Sequence, residues 1–216
     1  MSKGLKLAIL IFPLLLLSAG CNNFRSVSGA GVVLTTNGGA DWQFANKIKD
    51  SDASLNGVAV SSLLFDPLDS NKLVLGSFAG AVYKSDDAGT SWQQILSKII
   101  VYDIAFHPTQ SNVIYAAGTF GGHGKALMTS DGGKSWQEIY NEEAKSDPVR
   151  TLAINPRNPS EVVIGLQSGQ LIASTDSGQH WKLLQKLQTQ IQRLYWNDSG
   201  LFILLQRKGL LKSVDG

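Results

Sequence analysis

A short polar turn that ends in tryptophan is repeated along this chain, and its spacing limits the folds that the chain can adopt. The turn reads SDDAGTSW at residues 85–92, TSDGGKSW at 129–136 and STDSGQHW at 174–181, and a close variant, TTNGGADW, occupies 35–42. The third position of each turn is an aspartate or asparagine, and successive turns are 50, 44 and 45 residues apart. A period of this length indicates stacked copies of one small structural unit.

Each turn lies at the same place in a series of four short apolar runs. In one unit these runs are SSLLFDP (61–67), KLVLGS (72–77), AVYKS (81–85) and WQQIL (92–96), and the same order recurs in the next two units. The runs are rich in β-branched and aromatic residues and are separated by Gly, Asn and Pro, which is typical of short strands joined by turns. Four strands per unit of about 45 residues predict an all-β fold, a β-propeller of four-stranded antiparallel blades.

The phase of the repeat predicts how the blades divide the chain. We expect a half blade at 31–48, full blades at about 55–98, 99–143 and 149–187, and the first three strands of a further blade that stops at SVDG, which begins at Ser213. Closed propellers have four to eight blades. We therefore expect the N-terminal part of a ring of six to eight blades, or a truncated gene. Unpaired blade edges predict that the isolated chain aggregates or oligomerises.

The pattern Ser/Thr-x-Asp-x-Gly-x-x-Trp resembles the Asp-box, or BNR, repeat, and the resemblance covers residues 31–216. That family comprises β-propellers such as sialidases, xyloglucan-degrading glycoside hydrolases, sortilin-like receptors and photosystem II stability/assembly factors. The resemblance implies the propeller fold. It does not specify an activity, because the same box occurs in all of these proteins.

The residue types of the box have a structural explanation. An aspartate in a tight turn accepts backbone N–H groups, glycine supplies a backbone conformation that other residues resist, and the Ser/Thr hydroxyl adds a local bond. The tryptophan buries a large apolar area. We therefore interpret the box residues as structural. They are Thr35, Asn37, Gly39, Trp42, Ser85, Asp87, Gly89, Trp92, Thr129, Asp131, Gly133, Trp136, Ser174, Asp176, Gly178, Trp181, Ser213 and Asp215.

The N-terminus has the features of an export signal. A basic start is followed by an apolar run at 7–17 and then by SAGC, and the run is shorter than the roughly 20 residues that span a bilayer. LLSAGC resembles the lipobox of bacterial lipoproteins, which implies a signal peptide at 1–20, lipidation of Cys21 and a tether at 21–30. We expect an exported protein, held by lipid on the non-cytoplasmic side of a bacterial membrane. The alternative is a secretory signal followed by a buried free thiol.

Charge and motifs exclude several classes of function. The chain has 19 Lys and Arg against 17 Asp and Glu, and two of the lysines lie in the first twenty residues, so the remainder is balanced and offers no basic patch for nucleic acid. The three histidines lie at unrelated positions of different repeats, which predicts no metal site. No glycine-rich phosphate loop is present, and we predict no cofactor.

A binding surface is expected on the face opposite the boxes. Strand direction alternates within a blade, so this face carries the start of each first strand and the turn between the second and third strands. Both places vary between repeats, whereas the neighbouring apolar positions do not. The alternative is an ordinary solvated rim. The candidate contact residues are Tyr102, Asp103, His123, Lys125, Arg150, Arg193 and Arg207.

The sequence favours a scaffold over an enzyme. Sialidases carry an Arg-Ile/Leu-Pro motif near their start, whereas Arg25 is followed by Ser and Val. Glycoside hydrolysis needs two carboxylates across a cleft, and Asp103 is the only acid at the varying first-strand positions. We expect a non-catalytic, membrane-tethered propeller that binds a protein or a glycan. The alternative is a glycoside hydrolase or glycan-binding propeller of the xyloglucanase or sialidase kind.

Overall fold

The computed structural model of the chain describes residues 31–213. These residues form eighteen strands and no helix, and all strand pairs but one are antiparallel. The predicted signal peptide at 1–20, the predicted lipidation site Cys21, the tether at 21–30 and the box residue Asp215 lie outside the described residues.

A small hairpin precedes the first complete sheet. We call it the N-terminal hairpin; it pairs β1 (Val33–Leu34) with β2 (Gln43–Phe44) around the first box. Strand β3 (Lys47–Ile48) then runs parallel to the outermost strand of the following sheet. That sheet, the first blade, comprises β4 (Val60–Asp66), β5 (Asp69–Ser77), β6 (Ala81–Ser85) and β7 (Ser91–Ser97).

Three further sheets follow, each an antiparallel meander in which sequential strands are neighbours. The second blade comprises β8 (Ile100–His107), β9 (Gln110–Phe120), β10 (His123–Thr129) and β11 (Gln137–Lys145). The third blade comprises β12 (Val149–Ile154), β13 (Val162–Leu166), β14 (Gln170–Ser174) and β15 (Lys182–Lys186). The fourth sheet comprises β16 (Ile191–Asn197), β17 (Gly200–Leu205) and β18 (Gly209–Ser213). The predicted all-β propeller architecture is confirmed.

The hydrophobic core lies between the sheets. One cluster joins Tyr115 of the second blade to Leu152 and Ile164 of the third. A second cluster joins the first and second blades, and a third joins the third blade to the fourth sheet. Apolar side chains on both faces of a strand therefore become buried only when sheets stack. The first strand of each sheet, β4, β8, β12 or β16, lies beside its counterparts, and we call these four the inner strands.

Candidate functional site: the rim of the inner strands

The box turns are held by local hydrogen bonds. In the first blade, the Ser85 hydroxyl donates to Asp87 Oδ1 at 2.8 Å and accepts the Gly89 N–H at 2.9 Å, while Asp87 Oδ1 accepts the Ser91 N–H at 2.8 Å. The turns of the second and third blades repeat these contacts. Gly89 has a φ of 85°, a conformation that favours glycine.

The same hydrogen bonds explain the acidity of the box carboxylates. Donors from Ser135 and Thr129 hold the pKa of Asp131 far below its usual range, and donors from His180 and Ser174 do the same for Asp176. These carboxylates are occupied by donors of their own turn.

The box tryptophans join each blade to the unit before it. Trp92 donates its Nε1–H to the carbonyl of Ala45 at 2.7 Å, and in the next two boxes the corresponding carbonyls, of Ile95 and Ile139, accept from Trp136 and Trp181. Each acceptor lies three residues after the preceding box tryptophan. The box therefore forms hydrogen bonds between blades in addition to forming a turn.

The opposite rim carries a feature that the sequence did not reveal. Each inner strand has a β-bulge near its start, so that one residue is left without a partner in the neighbouring strand. Bulges re-aim side chains and are frequent beside functional sites. The bulged residues are Ser61, Tyr102, Arg150 and Gln192. The residue at this position varies between the repeats of the sequence, but only the strand register shows the bulge.

Two of the predicted contact residues meet at these bulges. The Arg150 guanidinium lies over the Tyr102 ring, 4.1 Å from its centroid. The Phe78 ring also packs on Tyr102, with 5.8 Å between the two ring centroids. Within residues 31–213, Arg150 forms no ion pair, and its Nε has no hydrogen-bond partner. We call Phe78, Tyr102 and Arg150 the rim stack; it crosses three successive blades and presents a cation on an aromatic surface.

Asp103 differs from the expectation of an exposed contact residue, because it is 1% exposed. Its carboxylate accepts the Thr151 hydroxyl at 2.8 Å and the Leu152 N–H at 3.2 Å, and it pairs with Arg193 at 3.0 Å. Burial raises the pKa of Asp103, although Arg193 and the hydrogen bonds act in the opposite direction. Asp103 therefore connects three inner strands and is not an exposed contact residue.

The remaining predicted residues do not join the rim stack. His123 Nδ1 lies 3.0 Å from the Glu142 carbonyl oxygen, and Lys125 pairs with Glu138 across the second blade. Arg207 lies in the turn between β17 and β18 with a positive φ of 59°. Their positions at the ends of strands were predictable, whereas the partners of His123 and Lys125 depend on the pairing of β10 with β11.

The inner strands line a partly open cavity of about 490 Å³. Its walls are mostly apolar and include Tyr195 and Pro108, and Asp103 and Arg193 also line it. Asp103 is the only acid among the described residues that line it. The described part of the chain also contains no group of three or more potential metal ligands and no helix able to cross a bilayer.

A family model described as Sortilin-Vps10 (sortilin, neurotensin receptor 3) matches residues 80–210, which is more than half of the chain. The chain belongs to the Sortilin-Vps10 family. The match includes the last two strands of the first blade, the second and third blades and most of the fourth sheet, so it contains three complete box turns and three of the four inner-strand bulges. No curated protein is significantly similar to this Sortilin-Vps10 chain.

Solved structures similar to this Sortilin-Vps10 chain are propellers with different activities. An ancestral GH74 enzyme is 22% identical, with a TM-score of 0.59, over 82% of this chain and 25% of the enzyme. The GH74 xyloglucanase of Xanthomonas campestris is 18% identical, with a TM-score of 0.61, over 73% and 29%. YCF48 bound to D1 peptide is 21% identical, with a TM-score of 0.53, over 68% and 47%. The chain thus spans between a quarter and half of these structures, and the likeness concerns the fold.

Proposed function

We propose that this chain is a non-catalytic propeller that binds a protein segment through the rim stack, while a lipid on Cys21 tethers it to a membrane of the cell envelope. The observation that carries the proposal is the exposed side of the stack of Phe78, Tyr102 and Arg150. A guanidinium without an anionic partner in the described residues, next to two aromatic rings, suits a peptide that carries a carboxylate and an apolar side chain.

The structure of YCF48 bound to D1 peptide gives this proposal support by analogy, because it is a similar propeller that holds a peptide. The tether is supported by the sequence LLSAGC before the propeller. A lipid-anchored chain would present its rim to proteins at the membrane surface.

The alternative function, glycoside hydrolysis, is favoured by the likeness to GH74 enzymes. That chemistry needs an acid and a second carboxylate roughly 5 to 10 Å apart. Among the described residues that line the cavity, the one acid, Asp103, is already bonded to Thr151, Leu152 and Arg193. Because these contacts already use the Asp103 carboxylate, we favour a binding function over a catalytic one.

The test is to probe the full chain, purified in a mild detergent, with an array of synthetic peptides and an array of plant and bacterial glycans. We expect it to retain peptides that contain acidic and apolar residues. Arg150→Gln should weaken this binding about tenfold or more, because the ligand carboxylate then loses a charged partner. Arg157→Gln is the matched control, since Arg157 pairs with Asp198 away from the rim stack.

Equal weakening by both arginine variants would contradict the proposal, because it would indicate a non-specific charge effect. Release of sugar from a glucan, lost in Asp103→Asn, would replace binding by glycoside hydrolysis. Retention of glycans alone, with no peptide bound, would exclude a protein ligand at the rim stack.

A further inference from the structure

The two faces of the propeller differ in how their charged side chains are paired. On the box face, four basic side chains each form an ion pair with a nearby acid. These pairs are Lys49 with Asp87, Lys72 with Asp69, Lys84 with Asp86 and Arg157 with Asp198. On the opposite face, three exposed lysines lie where one sheet ends and the next begins, and within residues 31–213 none of them forms an ion pair. These lysines are Lys98, Lys145 and Lys186.

The face opposite the boxes is positive as a whole. Beside the three lysines, its strand ends and turns carry Arg150, Arg207 and Lys208, against the acids Glu142, Glu143 and Asp147. Two of these acids are occupied, because Glu142 accepts the Tyr140 hydroxyl and Asp147 accepts the Ser168 N–H. The balanced charge of the sequence therefore conceals an excess of unpaired cations on the face that carries the rim stack.

Two large apolar side chains accompany these lysines. Ile100, at the start of β8, is 42% exposed, and Phe120, at the end of β9, is 45% exposed. We call Lys98, Ile100, Phe120, Lys145 and Lys186 the outer rim. Apolar side chains next to unpaired cations suit the boundary of a bilayer, where the apolar groups leave water and the cations meet anionic headgroups.

The chain enters the propeller on the same face. Thr35 and Ser85 are the first residues of their boxes, and four residues before them are Gly31 and Ala81. Ala81 pairs with Ser97, the last residue of β7, on the face opposite the boxes. Gly31 therefore lies on the side of the outer rim. The tether at 21–30 spans at most about 36 Å when fully extended, so a lipid on Cys21 holds this face near the bilayer.

We propose that the outer rim docks on the anionic surface of the bilayer that holds the lipid anchor, with Ile100 and Phe120 at the level of the headgroups. This inference rests on the lipid tether of the proposed function. Each unpaired lysine near an anionic bilayer strengthens docking about fivefold. The box face gains little from turning to the bilayer, because nearby acids offset its cations.

This orientation defines the partner of the rim stack more closely. Docking through the outer rim brings Phe78, Tyr102 and Arg150 to the bilayer surface, because they lie on the same face. The peptide that the rim stack binds is then a segment of a membrane protein that lies next to its membrane-spanning part.

The test measures the depth of a fluorophore on the full, lipidated chain in vesicles of phosphatidylcholine and phosphatidylglycerol at about 7 to 3. Cys21 is the one cysteine of the chain, and a lipid on its sulfur leaves an introduced cysteine as the only free thiol. Ala79→Cys places the label in the exposed turn after β5, and Thr90→Cys places it in the box turn of the same blade. Brominated lipid should quench the label at position 79 and leave the label at position 90 unquenched.

Variants of the lysines test the electrostatic part. Joint replacement of Lys98, Lys145 and Lys186 by glutamine should lower the ratio of docked to undocked chain about tenfold or more, as reported by quenching at position 79. Vesicles of phosphatidylcholine alone should have the same effect. The matched control replaces three lysines of the box face and should leave the quenching unchanged. These control lysines are Lys72, Lys134 and Lys182.

Four results would overturn the docking of a tethered chain. They are absence of quenching at position 79, equal quenching at positions 79 and 90, unchanged quenching in the outer-rim variant, and a blue shift at position 79 without quenching, which would indicate a protein contact. A Cys21 thiol that reacts with the label in the unsubstituted chain would remove the tether itself and the docking with it. Quenching at position 79 in a chain that retains no peptide would support docking and remove the peptide-binding function.

Discussion

The box turns and the inner-strand rim lie on different strands of the same sheets, and they differ in how their polar groups are satisfied. At the boxes, the Asp131 carboxylate and the Thr129 hydroxyl bond within a stretch of seven residues. At the rim, Asp103 bonds to Thr151 and Leu152, which are 48 and 49 residues away. The box turns, which repeat, are stabilised by local hydrogen bonds. The inner-strand rim, which varies, can therefore carry a different side chain in each blade.

The largest expected loss of stability comes from replacing a box tryptophan. Trp92→Ala should lower the free energy of unfolding by about 3–5 kcal/mol, because the side chain is fully buried and its indole bonds to Ala45. Trp42→Ala changes the same position of the first box, where the side chain is 49% exposed, and should cost about 1 kcal/mol. Urea unfolding measures both free energies. Equal losses in the two variants would show that the box tryptophan does not stabilise the contact with the preceding unit.

A second pair of variants, at two box glycines, separates the role of the box as a turn from its role in contacts between blades. Gly133 and Gly39 have similar φ values of 96° and 92°, but a Cβ on Gly133 would lie 2.6 Å from Ile95 of the preceding blade, whereas one on Gly39 meets only Trp42 at 3.6 Å. Gly39→Ala should cost about 1–2 kcal/mol from backbone strain alone. Gly133→Ala should cost about 1–3 kcal/mol more from crowding. Equal unfolding midpoints for the two variants would argue against the inter-blade role.

The pH dependence of stability should have opposite signs at the box turns and at the inner-strand rim. The pKa of Asp131 is lowered in the fold, so its stabilisation is present above its unfolded pKa and is lost as the pH falls below about 5. The pKa of Asp103 is raised, so the folded state gains relative stability as the pH falls through that raised value.

The measurement is urea unfolding of the wild type, Asp131→Asn and Asp103→Asn between pH 6.5 and pH 3.5. The stability difference between wild type and Asp131→Asn should shrink in acid, while that between wild type and Asp103→Asn should move in favour of the wild type. A shift of the same sign for both variants would mean that Arg193, and not burial, dominates the titration of Asp103.

The smallest effect is expected at the rim stack. Arg150→Gln should change the free energy of unfolding by less than about 1 kcal/mol, because it removes one partly exposed cation–π contact with Tyr102. A thermal melt checks this against Trp92→Ala. A loss of stability in Arg150→Gln comparable to that in Trp92→Ala would make Arg150 a structural residue. The rim stack and the box turns would then no longer differ in their contribution to stability.

The sequence predicted the strands well and the site only in part. The four runs of the first blade match β4 to β7, because turn residues and apolar runs act over a few residues. The positions of Tyr102 and Arg150 on one rim followed from the phase of the repeat. The burial of Asp103 was not predicted, because it requires Thr151 and Arg193 from two other sheets. The parallel strand β3 was missed for the same reason, since its partner β7 lies more than forty residues away.

The amino-acid sequence by itself determined the repeating unit, the hairpin turns and the family to which the chain belongs, because these depend on short motifs whose hydrogen bonds close within one turn. Only the tertiary structure decided which residues are exposed. Leu63 and Leu152 occupy the same position in equivalent strands, yet one is 41% exposed and the other is buried. The difference arises because burial in a stack of sheets depends on whether a neighbouring sheet is present, and no local motif encodes that neighbour.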